Sequence, residues 1–169
     1  EGCVVLSNPD LKKIQHLISP GKTPIVIAEQ IQWVSVSEWY KKRAEVLKSI
    51  ERWRLDWESL DVEKYLGHYG KEFWSGRHNQ RSWKQYKTRI AKQKTYQKIT
   101  LSDLSLYYYP EQLDGVGRAD TMVLARFTQK YQSNNYNGEV RKRLYLIQEV
   151  EAAEKIKNSA SWKILYEGR

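Results

Sequence analysis

A single thiol, Cys3, stands beside Gly2 in a chain whose only imidazoles are His16, His68 and His78. A lone Cys is compatible with a catalytic nucleophile and excludes an intramolecular disulfide. One Cys and three scattered His are too few for a four-ligand zinc site, and no metal or cofactor is expected. A free thiol has a pKa of about 8.5, so an unassisted Cys3 is mostly protonated at neutral pH. It attacks an amide carbonyl efficiently only if a base takes its proton and donors hold the oxyanion. Backbone N–H groups near Gly2 and Cys3 are candidates for those donors, because glycine admits close approach. His16 is nearest in sequence, but it falls about two turns into an expected helix and reads as a surface residue. The alternative for Cys3 is a small buried apolar side chain.

A second set of residues suits binding rather than covalent chemistry. Trp83, Tyr86, Tyr107 and Tyr145, with Arg126, Gln129 and Gln148, are expected to edge a cavity between a sheet and its helices. They include no pair of carboxylates and no His-Asp pair, which favours binding over catalysis. Aromatic faces stack on sugars, and a basic surface attracts acidic peptides. Each of the seven also fits core packing or an exposed strand face. From Arg77 to Lys98 eight cations follow one another with no acidic residue between, in a chain of net charge +9. That run fits a solubilising helix face, and it also fits attraction to a polyanion. A polyanion-binding protein would associate tightly and salt-sensitively with DNA. No helix-turn-helix, zinc-finger or RNP-type motif accompanies the charge, so nucleic acid is not an expected partner.

The elements that must position these residues fall into two groups. Residues 1–34 hold a short β-prone run at Val4-Val5-Leu6 and a helix from Asn8, with Asn8 as cap and Pro9 at its first position. A second β-prone segment, Thr23 to Ile27, is apolar on both faces and expected inside a sheet. These pieces look like the tail of a domain, and the chain opens as a fragment or processed product would.

From residue 37 the chain is self-sufficient. Trp39, Val46, Leu47, Ile50, Trp53, Trp57 and Leu60 share one stripe of a helix spanning Ser37 to Leu60, capped by Ser37. The tryptophans are expected in the core. Asp61 caps a short helix whose inward face runs from Val62 to Tyr69, ended by Gly70. Phe73 and Trp74 anchor a loop to Asn79, and Ser82 caps a third helix carrying Trp83, Tyr86 and Ile90 inward. Period 2 then replaces period 3.6: strands are expected over 99–109, 121–131, 140–150 and 162–166. Ser133 to Gly138 is a hairpin signal, and 151–161 a polar connection. Helices followed by antiparallel strands give an α+β architecture, the helices lying in the concavity of a bent sheet. No run of about twenty apolar residues exists to span a membrane.

Two stretches resemble known families. Gly2-Cys3-Val4-Val5-Leu6-Ser7-Asn8, followed by Asp10-Leu11 and Thr23-Pro24-Ile25-Val26-Ile27, resembles the end of an L,D-transpeptidase catalytic domain of the YkuD type. The resemblance implies a fragment of a mainly-β domain over residues 1–34, with Cys3 as the nucleophile and Gly2 near the oxyanion hole. It implies action on peptidoglycan stem peptides in the cell envelope or periplasm, as transpeptidase or carboxypeptidase. Many members have Arg two places after the Cys, where this chain has Val5. The second match rests on Trp53, Trp57, Asp61, Tyr65 and Tyr69, then Phe73, Trp83, Tyr86 and Lys87, with the closing Trp162 to Glu167. It is similar to the nuclear transport factor 2-like module that follows the catalytic domain in some envelope L,D-transpeptidases and L,D-carboxypeptidases. That implies a cone-shaped fold over residues 37–169, serving to bind peptidoglycan peptide or glycan, or to self-associate as a homodimer. The rival from another class is a non-enzymatic interaction module in which Cys3 is incidental.

Overall fold

The computed structural model describes residues 5–20, 23, 25, 27, 33–113, 119–149 and 161–169. The chain divides into two compact units, Glu1–Trp33 and Val34–Arg169. Gly2, Cys3 and the polar connection after Val150 lie outside the described residues.

In the first unit α1 (Asn8–Ile14) runs into a 3₁₀ turn at Gln15–Leu17. The cap is Ser7 rather than Asn8: its hydroxyl accepts from the Asp10 N–H at 3.3 Å and donates to the Asp10 carboxylate at 2.6 Å. The expected strands are not found at the described positions. Val5 and Leu6 are exposed coil, and Ile25 and Ile27 are 71% and 81% exposed instead of buried. Among the described residues none of this unit pairs in the sheet, and a strand is not sustained without a ladder partner.

The second unit opens with α2 (Val36–Glu58), capped by Ser35 rather than Ser37. The middle of its apolar stripe is buried, with Val46, Ile50 and Trp53 almost fully covered, whereas Trp39, Leu47 and Trp57 are half-buried and Leu60 lies past the helix end. Arg54 ties the helix to the sheet edge, bonding Glu51 and Glu58 at 2.6 Å each and the Ile99 carbonyl at 3.1 Å. Glu58 in turn accepts from the Ile99 N–H at 2.7 Å. Helix α2 stops because Leu60 adopts a left-handed φ of 64°, a costly conformation for a bulky side chain.

Next come α3 (Val62–Leu66), β1 (Tyr69–Ser75), β2 (His78–Asn79) and α4 (Gln80–Ala91). Three expectations are corrected here. Gly67, not Gly70, follows the end of α3. Phe73 and Trp74 belong to a strand, not a loop, paired in parallel with a strand at the far end of the chain. Asn79 caps α4, and Ser82 completes a reciprocal capping box as its third residue. The β1–β2 turn contains Gly76 at φ 56°, with open space where a side chain would stand, so glycine is there for its backbone freedom.

The strands β3 (Gln97–Leu113), β4 (Ala119–Ser133), β5 (Asn137–Glu149) and β6 (Ser161–Gly168) complete a six-stranded sheet of order β2-β1-β6-β5-β4-β3. All pairs are antiparallel except β1 with β6. Val123, Ala125, Phe127, Gln129 and Tyr131 point from β4 toward the helices, opposite Leu146, Leu144, Lys142, Val140 and Gly138 of β5. The ladder shifts at Asp103, whose φ is 54°, and the extra residue there bends β3. Helices on the concave face of this mostly antiparallel sheet give the expected α+β layering. Among the described residues no helix is long and apolar enough to cross a membrane.

Candidate functional site

Packing three helices on a bent sheet leaves an open cavity of about 730 Å³ at one end of the second unit. Its wall is built by Trp57 of α2, Tyr65 of α3, Tyr86 and Lys87 of α4, and Gln129 and Lys142 of the sheet. The helical period explains Lys87. It is four residues after Trp83 and three before Ile90, so it shares the face of α4 that turns inward. Its ammonium lies 4.4 Å from the ring centre of Trp83, 4.9 Å from Trp57, 5.6 Å from Tyr65 and 5.9 Å from Tyr86. Ring faces attract a cation without neutralising it.

Beneath the lysine sits Glu167, only 1% exposed. It pairs with Lys142 and accepts from the Tyr69 hydroxyl at 2.8 Å. The Tyr69 hydroxyl also meets that of Tyr65 and accepts from the Trp53 indole N–H at 3.1 Å. Burial pushes the Glu167 carboxyl up, but the ammonium groups of Lys142 and Lys87 outweigh it and hold the group below the usual carboxylate range. Burial raises both buried phenols, and the neighbouring carboxylate adds to the rise.

Burial also lowers Lys87, to about 8, against the opposing pull of Glu167 and with a smaller push from Lys142. A consequence is measurable. The lysine is cationic at pH 7 and loses its charge above about pH 8, so affinity for an anionic ligand is expected to fall as pH rises from 7 to 9. Titration calorimetry at the two pH values reads this directly; a constant affinity across that interval contradicts a role for the Lys87 charge.

Of the seven residues expected to edge one cavity, the structure brings three together. Tyr86 and Gln129 line it, and Trp83 lies behind the Lys87 ammonium. Gln148 is on the concave side by register, opposite Trp162, but away from the cavity. Tyr107, Arg126 and Tyr145 lie on the other face of the sheet: Tyr107 and Tyr145 both pair with Leu124, and Arg126 is exposed. The grouping fails there because strand alternation gives two faces without saying which one the helices cover.

Two further features escape sequence reasoning. His68 Nε2 and Asp56 Oδ2 are 2.6 Å apart, a His-Asp pair drawn from the end of α2 and the entry to β1. Asp56 lines the cavity and His68 does not. Burial lowers the imidazole pKa, opposed by Asp56, and the His68 carbonyl accepts from Ile164 N at 2.8 Å, so the pair fastens α2 to the sheet. The other is the amide oxygen of Gln129, buried in the cavity wall without a hydrogen-bond partner among the described residues. An unpaired buried acceptor is costly unless something else donates to it. Among the described residues no cluster of His, Cys, Asp and Glu could hold a metal ion.

Residues 45–168 match the family described as the Cds6 C-terminal NTF2-like domain. No curated protein matches the chain in sequence. Among solved structures, Bd1075 of Bdellovibrio bacteriovorus is 28% identical with a TM-score of 0.75, over 98% of this chain and 55% of that one. The helical cell shape determining protein Pgp2 of Campylobacter jejuni is 25% identical with a TM-score of 0.69, over 98% of this chain and 53% of its own. The chain thus spans about half the length of these two proteins. An NTF2-like protein of unknown function from Pseudomonas putida, 12% identical, covers 76% of this chain and 85% of its own with a TM-score of 0.56, a likeness of fold alone.

Proposed function

The chain belongs to the family of the Cds6 C-terminal NTF2-like domain, and from that premise we propose that its cavity binds fragments of peptidoglycan for a cell-wall protein of the periplasm. The observation that carries this reading is the Lys87 ammonium, ringed by four aromatic side chains on the wall of an open cavity. Ring faces suit a sugar or an apolar peptide stretch, and the cation suits a carboxylate. Pgp2 is a helical cell shape determining protein, and holding onto the wall is a role that shape determination would use. The experiment is a titration of the 169-residue chain with soluble peptidoglycan fragments at low and high salt. Binding that weakens with salt is expected; none even at low ionic strength overturns the reading.

The larger protein of this proposal is an envelope enzyme of the L,D-transpeptidase or L,D-carboxypeptidase kind, with Cys3 as nucleophile and Gly2 beside it. This chain alone is expected to turn over no stem tetrapeptide. His16 is exposed on a 3₁₀ turn, His68 is bound to Asp56, and His78 stacks on Tyr86 with ring centres 5.1 Å apart, so each is otherwise engaged or unsupported as a base. Release of D-alanine by the chain, lost in Cys3→Ala, contradicts that expectation.

A second reading, a non-enzymatic module that self-associates as a homodimer, has one observation in its favour. Trp74 is 52% exposed and packs on Tyr166 at 4.2 Å, which in turn meets Tyr145 on the sheet face away from the helices. Sedimentation of wild type against Trp74→Glu separates the two readings: a dimer lost in the variant favours the second.

A further inference from the structure

The cavity has a second charged position at its mouth. Lys94 lies just past the end of α4 and lines the same cavity as Lys87. Its ammonium is 5.3 Å from the ring centre of Tyr131 and 6.0 Å from that of Tyr136. Between the two lysines stand Trp57 and Tyr131, their ring centres 5.7 Å apart. From the interior outward the wall therefore presents a cation, two rings and a second cation.

Lys94 is held in place from the β4–β5 hairpin. It donates to Ser133 Oγ at 2.9 Å and to the Asn135 side-chain oxygen. Both acceptors are neutral, so they position the charge without cancelling it. Around it Asn134 accepts from the Thr95 N–H at 3.1 Å and donates to the Gln93 carbonyl at 3.2 Å, which fastens the hairpin to the end of α4. A cation fixed at an open mouth, beside aromatic faces and in the same cavity as a buried one, is a preorganised site for a second anionic group.

We propose that Lys94, with Tyr131 and Tyr136, forms an outer subsite for a second carboxylate, so that the cavity selects an extended stem peptide bearing two acidic groups, one for each lysine. The proposal rests on the reading of the cavity as a peptidoglycan site and deepens it by choosing the peptide over the glycan. The ring pair between the lysines covers the apolar stretch between the two carboxylates. The outer charge faces water more than the inner one, so it tunes affinity where Lys87 decides it.

The test is titration calorimetry of the full chain at low salt with two probes. One is a stem tetrapeptide with a free terminal carboxylate, the other the same peptide amidated there. Wild type is expected to prefer the free acid by about fivefold. Lys94→Gln removes that preference. Ser133→Ala, which deletes a hydrogen bond but not the charge, keeps the preference. Equal affinity of wild type for the two peptides overturns the outer subsite alone. A Lys94→Gln variant that weakens both peptides alike does the same, showing a latch for the hairpin and no ligand contact. Failure of wild type to bind either peptide overturns the subsite together with the reading beneath it.

Discussion

Glu167→Gln is expected to cost the second unit about 3 kcal/mol and to lower its Tm by about 10 °C. The carboxylate is almost wholly buried, pairs with Lys142 and offsets the charge of Lys87. Removing its charge leaves the Lys142 ammonium without its partner and the Lys87 ammonium, ringed by aromatic side chains, without an offsetting charge, which is why breaking a buried pair costs far more than the pair contributes. The amide still accepts from Tyr69, so the loss isolates charge from hydrogen bonding. Replacing both partners, Lys142→Met with Glu167→Leu, is expected to restore much of the lost stability, giving a strongly non-additive double-mutant cycle. Thermal unfolding followed by near-UV absorption or fluorescence of the buried tryptophans reads Glu167→Gln, the double variant and its two single replacements. Additive losses would show that Lys142 and Glu167 do not act as a pair.

Lys87→Met is expected to move stability and binding in opposite directions. Methionine has similar length and makes favourable contacts with rings, while the ammonium it replaces is held against the cost of burial. A lysine whose pKa is lowered in the folded state to about 8 disfavours folding while both states are charged. Below about pH 8 that cost is complete. As pH climbs toward the unfolded lysine value the unfolded chain holds more protons than the native one, and stability rises with pH. The variant should therefore melt a few degrees higher than wild type at pH 7, with the gap closing toward pH 10. Its affinity for a peptidoglycan fragment should fall at least about tenfold, the worth of one charge-assisted contact. A variant that melts lower at pH 7 contradicts the account of Lys87 as a charge kept for its ligand at the expense of the fold.

The physics of the local chain made some of this legible and hid the rest. The α2 stripe of Val46, Ile50 and Trp53 is readable because every contact repeats at the helical period, and the structure buries all three. β1 is not readable. It is short, and its parallel partner β6 is some ninety residues away, pairing Tyr69 with Ile164 and Trp74 with Tyr166. Nothing within Phe73-Trp74 announces a partner so distant.

The candidate site shows the same division. Tyr86 and Gln129 were readable as cavity residues from type and face, whereas Tyr107, Arg126 and Tyr145 fall on the reverse face of the sheet. Lys87 is lost in a basic run, although its i+4 spacing from Trp83 placed it on the inward face all along. Lys94 is hidden for the same reason. Glu167 is the hardest of all: strict alternation from Trp162 and Ile164 turns Tyr166 inward and Glu167 out. The ladder shift opposite Tyr145 and Leu146 reverses that phase, so Tyr166 packs on Trp74 and Glu167 enters the core. A bulge of one residue carries no sequence signal of its own here, yet it sets the charge at the floor of the cavity.

The most direct measurement is a crystal structure of the chain grown with a peptidoglycan stem peptide. The account predicts a ligand carboxylate within about 3 Å of the Lys87 ammonium, with the peptide lying along Trp57. Clear density for the peptide elsewhere, with Lys87 still facing only its rings, would contradict it.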